Sequence, residues 1–251
     1  MRKSLKNNLI YLISGILIAV VIYITAYFLC DNEYVLPSPI LIIKETFALF
    51  ITPAFYKALG ATLLRVLMGF IISFVLATIF AVLAYLYPFF KGILGIIVGV
   101  LRSLPVLAVL LIILTAVSRT FAPIVVCFLS LFPILYTSLL TALIGVPGEL
   151  KETCKVYKVP IKKQVFSMYI PQILPKILLD LAGGISFGLK LTVSAEILAS
   201  VYISLGGIIK EASLYLLTAR LFALTLAVCL IGVIVEFIGK ILSEKAGKKL
   251  L

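Results

Sequence analysis

Histidine is absent from this sequence of 251 residues, and acidic side chains are few. Histidine is the commonest metal ligand in proteins and a frequent general base, so its absence removes the usual basis of metal or acid–base chemistry. The ten acidic residues include two aspartates, Asp31 and Asp180, which are far apart in the sequence. An enzyme acting inside a membrane needs a nucleophile, a base or metal ligands, and we therefore expect no hydrolytic activity.

The sequence also lacks a glycine-rich phosphate-binding loop. Such a loop ends in Gly-Lys followed by Ser or Thr, and this combination does not occur in the chain. We expect the chain to bind no ATP and no other cofactor itself. If ATP drives its activity, a separate subunit binds the nucleotide.

The four cysteines, Cys30, Cys127, Cys154 and Cys229, are scattered without any paired spacing. Three of them lie within apolar runs or at their ends. A free cysteine in such a position behaves as a small hydrophobic residue. The spacing therefore predicts neither disulfides nor a metal site.

Hydrophobic residues make up 63% of the chain and charged residues 13%. The apolar residues occur in runs of about 20, the length that spans a bilayer. The net charge of the chain is +12, and a strongly positive charge is common in nucleic-acid-binding proteins. Here, however, the basic residues form short clusters between apolar runs. Clusters of this kind set membrane topology and meet anionic lipid headgroups. The sequence predicts a polytopic, all-α membrane protein that does not bind nucleic acid.

Six membrane spans are predicted, at about residues 9–29, 59–86, 92–117, 122–144, 177–202 and 221–241. The basic clusters before the first span, between the fourth and fifth, and after the sixth place both termini in the cytoplasm. The first span is longer than the apolar core of a signal peptide and no cleavage site follows it, so we expect it to be retained. The segment from Ile40 to Ile51 is too short to cross and is predicted to be an interfacial helix.

The third span contains Arg102 and Pro105, and the proline is expected to bend it inside the helix bundle. Arg102 either lines a translocation path or extends its side chain to the inner membrane interface. Arg65 and Arg220 lie near the outer ends of spans, where the same extension toward the interface is expected.

The fifth span has a polar side and a packing side. Ser186, Lys190, Thr192, Ser194, Glu196 and Ser200 fall within one arc of the helix. Gly184 and Gly188 form a small-residue stripe that lets another helix approach closely. Lys190 and Glu196 either make local hydrogen bonds four residues along the helix or line a translocation path. The predicted path residues are Arg102, Lys190, Thr192, Ser194 and Glu196.

The cytoplasmic segment between spans four and five begins with a predicted helix from Glu149 to Val159, which Pro160 ends. Its acidic start and basic end suit the helix dipole. Thr153, Val156 and Tyr157 give it a small apolar face. The face fits a groove in a partner protein, or the segment is a topogenic loop bound to lipid headgroups.

This segment resembles the cytoplasmic signature of permease subunits of ATP-binding-cassette (ABC) importers. The family pattern is E-A-A-x-x-x-G, followed after nine residues by I-x-L-P; here Glu152-Thr153-Cys154-x-x-x-Lys158 is followed by Met168-Tyr169-Ile170-Pro171. The spacing matches, with Thr153, Cys154 and Lys158 in place of Ala, Ala and Gly. The resemblance extends from about Leu36 to Gly239. Within the family, the sequence is most similar to the branch that imports nitrate, sulfonates and taurine.

The resemblance implies a homodimer in the cytoplasmic (inner) membrane, two ATPase subunits docked on the cytoplasmic loops, and an extracytoplasmic solute-binding protein. Residues 1–251 would form one transmembrane domain: an extra span and outer turn (1–36), a permease core (37–241) with a coupling loop (146–176), and a cytoplasmic tail (242–251). The implied ATPase-coupling residues are Glu149, Glu152, Thr153, Cys154, Val156, Tyr157, Lys158 and Pro171.

A second hypothesis is a self-contained channel or secondary transporter, in which Lys190, Glu196 and Arg102 form an ion path without an ATPase. The absence of internal repeats and of inverted symmetry between the two halves disfavours it. In either case, Lys190 and Arg102 suit a small anionic solute.

Overall fold

The computed structural model describes residues 2–30, 32–33 and 35–248, and all regular structure within these ranges is helical. The helices are α1 Arg2–Cys30, α2 Pro39–Ile51, α3 Pro53–Leu86, α4 Pro88–Ser103, α5 Val106–Ala116, α6 Ala122–Ile144, α7 Gly148–Val156, α8 Ile161–Gln164, a π-helical turn Val165–Tyr169, α9 Ile170–Ala199, α10 Leu205–Leu214 and α11 Thr218–Lys248. The all-α prediction is confirmed.

Four continuous helical segments of the described chain are long and apolar enough to cross a membrane: Pro53–Leu86, Ala122–Ile144, Ile161–Ala199 and Thr218–Ala246. The pair α4 and α5 gives a fifth crossing if the two count as one bent span. In α1, the apolar helix in the described part is the shorter Val20–Cys30. The protein is thus a multi-pass membrane protein, and the predicted count of six spans stays a prediction.

The break between α4 and α5 is larger than the bend expected from the sequence. The two helices meet at an angle of 95°. Pro105 has no backbone N–H to donate, and it forces the preceding Leu104 into an extended conformation with ψ 128°. The third predicted span is therefore two helices rather than one bent helix.

The fifth predicted span begins earlier than expected. The helix runs without interruption from Ile161 to Ala199, rather than from about Ile177. Pro171 is the second residue of α9 and follows the π-helical turn Val165–Tyr169 directly. Pro175 lies inside α9, and its carbonyl accepts a hydrogen bond of 2.6 Å from the Ser243 hydroxyl. Most of the predicted 146–176 loop is therefore helical.

The chain divides into two compact units, of which the first comprises residues 1–53 and 209–227. In this unit the Ser38 side chain caps α2 by accepting from the Leu41 N–H at 3.3 Å. The helix predicted at Ile40–Ile51 is confirmed, and its position at the membrane interface stays a prediction. The Tyr23 hydroxyl donates to the Pro37 carbonyl at 2.7 Å, and its ring packs edge-on against Phe222.

The second unit comprises residues 54–208 and 228–251 and contains a core formed by α3, α4 and α6, against which α9 packs. Glycines allow these helices to approach closely. A Cβ at Gly188 would lie 3.1 Å from Leu131 and 3.2 Å from the Cys127 sulfur, and one at Gly184 would lie 3.0 Å from the Phe70 ring. The predicted packing stripe on span five is confirmed.

Candidate functional site

A buried ion pair joins α3 to the end of α9. The Arg65 guanidinium donates from Nη1 to Glu196 Oε1 at 2.8 Å, and the Thr62 hydroxyl lies 3.1 and 3.0 Å from the two carboxylate oxygens. Glu196 and Thr62 have no exposed surface, and Arg65 is 9% exposed. A charged carboxylate in such a site requires this pairing, because burial without a partner is costly.

The same residues hold the chain that follows α9. Ser200 ends α9 in the left-handed conformation with φ 55°. The Gly206 N–H then donates to Glu196 Oε2 at 3.2 Å, and the Leu205 N–H donates to Thr62 Oγ1 at 2.9 Å. Arg65 adds a bond of 3.2 Å to the Ile203 carbonyl. We call Thr62, Arg65, Glu196 and the Ile203–Gly206 backbone the Glu196 cluster.

The Glu196 cluster differs from both sequence interpretations of these residues. The expected extension of Arg65 toward the membrane interface is wrong, since its charged group is buried against Glu196. The partners of Glu196 are on α3 and after α9, rather than at Thr192 or Ser200 on its own helix. Arg65 and Glu196 are 131 positions apart, so no local spacing could have paired them.

The five predicted path residues fall into two groups. Arg102, Lys190 and Ser194 are exposed, whereas Thr192 and Glu196 are fully buried. Arg102 donates to the Thr137 hydroxyl at 2.6 Å and to the Pro133 carbonyl at 3.2 Å, which connects α4 to α6. On α9, the Ser194 hydroxyl donates to the Lys190 carbonyl at 2.9 Å. This bond involves the backbone of Lys190 and not its side chain.

A cleft of about 420 Å³ in the second unit contains charged residues that the sequence prediction did not assign to a site. Asp180 lies in it, accepts a hydrogen bond from the Ser138 hydroxyl, and has the Lys176 ammonium 3.6 Å away. Glu236 and Lys240 of α11 also line the cleft and are exposed. Charged groups within apolar spans face water or protein rather than lipid, which makes the cleft a candidate for solute passage.

The helix α7 is shorter than predicted, because the chain leaves it through a left-handed residue. Tyr157 caps the helix, and Lys158 follows with φ 48° before Pro160 precedes α8. The Val159 N–H donates a hydrogen bond to the Cys154 carbonyl at 3.0 Å. Left-handed backbone is the conformation that favours glycine, and Lys158 occupies the glycine position of the importer signature.

The predicted coupling residues lie on and beside α7. Glu149, Glu152 and Thr153 are exposed, and Val156 and Tyr157 are each 77% exposed. Cys154 is half-buried with its sulfur 3.6 Å from that of Met168. Pro171 is half-buried at the start of α9. The apolar face of the segment is thus free of contacts that would bury it, and Cys154 anchors its other side.

The sequence matches one protein family over residues 73–248, from α3 to α11. The family is described as the binding-protein-dependent transport system inner membrane component. No curated protein matches the sequence significantly. Members of the family are non-catalytic membrane subunits of ABC transporters that work with ATPase subunits and a solute-binding protein. Since the match covers most of the chain, the chain belongs to the family of inner membrane components of binding-protein-dependent transport systems.

Proposed function

We propose that this chain is the permease subunit of an ATP-driven importer and that α7 docks onto a separate ATPase subunit. The observation that carries the proposal is the exposed apolar surface around the end of α7. Val156 and Tyr157 are each 77% exposed, and Ile161 is 79% exposed. Apolar side chains among lysines in a water-facing segment favour a protein partner, whose groove would cover them.

The left-handed turn at Lys158 supports the same assignment. It ends α7 at once, so that Val156 and Tyr157 stand at the tip of a short helix instead of along a longer one. The tip geometry suits insertion into a groove. ATP would be bound by the ATPase subunit, and this chain would contribute Glu149, Glu152 and Tyr157 to the contact.

The translocation path in this proposal uses the exposed polar groups of the second unit. Lys190 and Ser194 provide polar groups on α9, and Arg102 provides a positive charge near the α4–α5 break. The cleft with Asp180 adds a water-accessible surface. A second copy of the chain would enclose these surfaces between two subunits. Six spans, cytoplasmic termini and a small anionic solute, as in the nitrate, sulfonate and taurine branch, complete the proposal.

Co-purification and solute uptake test the proposal together. The chain is expressed with a candidate ATPase and a candidate solute-binding protein from the same genome, and the complex is reconstituted into liposomes. Glu152→Ala and Tyr157→Ala should reduce ATP-driven uptake at least ten-fold while leaving membrane insertion unchanged, since a contact worth about 1.4 kcal/mol corresponds to a factor of ten.

Tyr202→Ala is the matched control, because Tyr202 is 93% exposed and follows the opposite end of α9. This variant should transport normally if α7 is the ATPase contact. Uptake by the chain alone, without ATPase or ATP, would instead establish the channel or carrier hypothesis. Unchanged uptake and unchanged ATPase binding in both α7 variants would refute docking through α7.

A further inference from the structure

Two tyrosines and a lysine connect α7 to the two long helices of the core. The hydroxyls of Tyr85, near the end of α3, and Tyr169, in the π-helical turn before α9, lie 3.1 Å apart. Their rings pack edge-on with centroids 6.0 Å apart. The Lys151 ammonium of α7 lies 5.3 Å from the centroid of the Tyr85 ring. We call these three residues the tyrosine joint.

The tyrosine joint has the chemistry of a specific connection. A hydroxyl pair at hydrogen-bond distance sets both the separation and the rotation of two helices, which apolar packing alone does less strictly. A lysine over an aromatic ring gains cation–π energy, and it keeps that energy if the helix slides by a fraction of an ångström. All three residues are half-buried, so solvent weakens these contacts less than at an open surface.

The two helices held by the tyrosine joint are also held together at their other ends. There the Glu196 cluster joins α3 to α9 through Arg65 and Thr62. The helix α9 contains 30 residues and is thus about 45 Å long. Two helices fastened at both ends move as one body, because neither can rotate or slide without breaking a polar contact.

We propose that Lys151, Tyr85 and Tyr169 are positioning residues that transmit the movement of α7 to α3 and α9 as a unit. The ATPase would displace α7, Lys151 would carry the displacement to Tyr85, and the hydroxyl pair would pass it to α9. The far end of α9, including Ser194, would then change its surroundings in step with ATP binding. This inference rests on the proposed function, since it requires an ATPase at α7.

The test follows the far end of α9 while the tyrosine joint is altered. Ser194 is exposed, so a Ser194→Cys variant offers a thiol for N-ethylmaleimide. The chain is assembled with its ATPase in lipid nanodiscs, with and without ATP and vanadate. Mass spectrometry gives the labelling rate at position 194, and phosphate release gives the rate of ATP hydrolysis in the same samples.

Tyr85→Phe and Tyr169→Phe should each reduce the ATP-dependent change in labelling about five-fold and leave ATP hydrolysis within two-fold, because each removes one hydrogen bond. The double variant should lose no more than either single variant, since both remove the same bond. Lys151→Met should act in the same direction, and Lys151→Arg should restore the response, because arginine keeps the cation over the ring.

Tyr87→Phe and Lys155→Met are matched controls, since Tyr87 follows the end of α3 and Lys155 lies one turn along α7. Both controls should respond like the wild type. Either of two results would overturn this inference and leave the proposed function standing. The first is a full labelling response in the Tyr85→Phe/Tyr169→Phe variant. The second is a failure of Lys151→Arg to restore the response, together with a lower thermal midpoint in every variant of the tyrosine joint. A wild-type complex with no ATP-dependent change at position 194 would overturn the proposed function, and this inference with it.

Discussion

Replacement of Arg65 by methionine tests whether the Glu196 cluster holds the end of α9. The change leaves the Glu196 carboxylate, which has no exposed surface, without its cation. Removing one partner of a buried ion pair costs about 3–5 kcal/mol. In a chain of this size, about 1 kcal/mol corresponds to 2–4 °C of the unfolding midpoint. Arg65→Met should therefore lower the midpoint by about 6–20 °C.

The double variant distinguishes two causes of destabilisation: an unpaired buried charge on Glu196, and the loss of the contact with Arg65. In Arg65→Met/Glu196→Gln the site is neutral, and the new amide oxygen still accepts from the Thr62 hydroxyl and the Gly206 N–H. Its midpoint should therefore lie above that of Arg65→Met, with an interaction energy of about 2 kcal/mol between the two changes. Arg119→Met is the control, because Arg119 is exposed, and its midpoint should equal the wild-type value.

A buried thiol provides the readout for this experiment. Cys127 has no exposed surface, so a thiol-reactive dye reaches it only on unfolding. Cys30, Cys154 and Cys229 are first replaced by serine, and the detergent-solubilised protein is heated with the dye. Equal midpoints for Arg65→Met and Arg119→Met, or simple additivity in the double variant, would show that the pair does not stabilise the native state.

Two further backbone predictions can be measured in the same way. Lys158→Gly should raise the midpoint by about 1–3 °C. A residue with a side chain pays about 1–2 kcal/mol in left-handed backbone, and glycine avoids this strain but loses part of the gain because its unfolded chain is more flexible. Lys158→Val should lower the midpoint. Gly69→Ala should destabilise by about 1–3 kcal/mol, because its Cβ would lie 2.8 Å from that of Cys127. Gly206→Ala should cost at least as much, since its Cβ would lie 2.7 Å from the backbone of α9. Gly60→Ala, whose Cβ meets no described atom within 4 Å, is the common control and should not destabilise; equal effects at all three glycines would contradict the packing argument.

The sequence was sufficient for features that the bilayer imposes. Apolar runs of spanning length must be helical, because backbone groups in hydrocarbon have no other partners, and this gave the α-helical class and the approximate positions of α3, α6, α9 and α11. The small-residue spacing of Gly184 and Gly188 correctly predicted a close helix contact. The motif around Glu152 pointed to the family that the sequence match then identified.

Features that depend on distant residues were not predictable in this way. Arg65 and Glu196 each looked like a single costly charge, and nothing local showed that each would satisfy the other. Prolines were also ambiguous: Pro105 separates two helices, whereas Pro175 lies inside one. Whether a proline ends a helix depends on which neighbour satisfies the backbone, and that is a property of the folded bundle.

The contact between Lys151 and Tyr85 also constrains the parity of membrane crossings. The Lys151 ammonium lies 5.3 Å from the centroid of the Tyr85 ring, so we expect the end of α3 and the helix α7 to lie on the same side of a bilayer. The chain between them must then cross an even number of times. The helix α6 is long enough to cross once. We therefore predict that the bent pair α4–α5 provides the other crossing, because a re-entrant hairpin would place α7 on the side opposite to Tyr85.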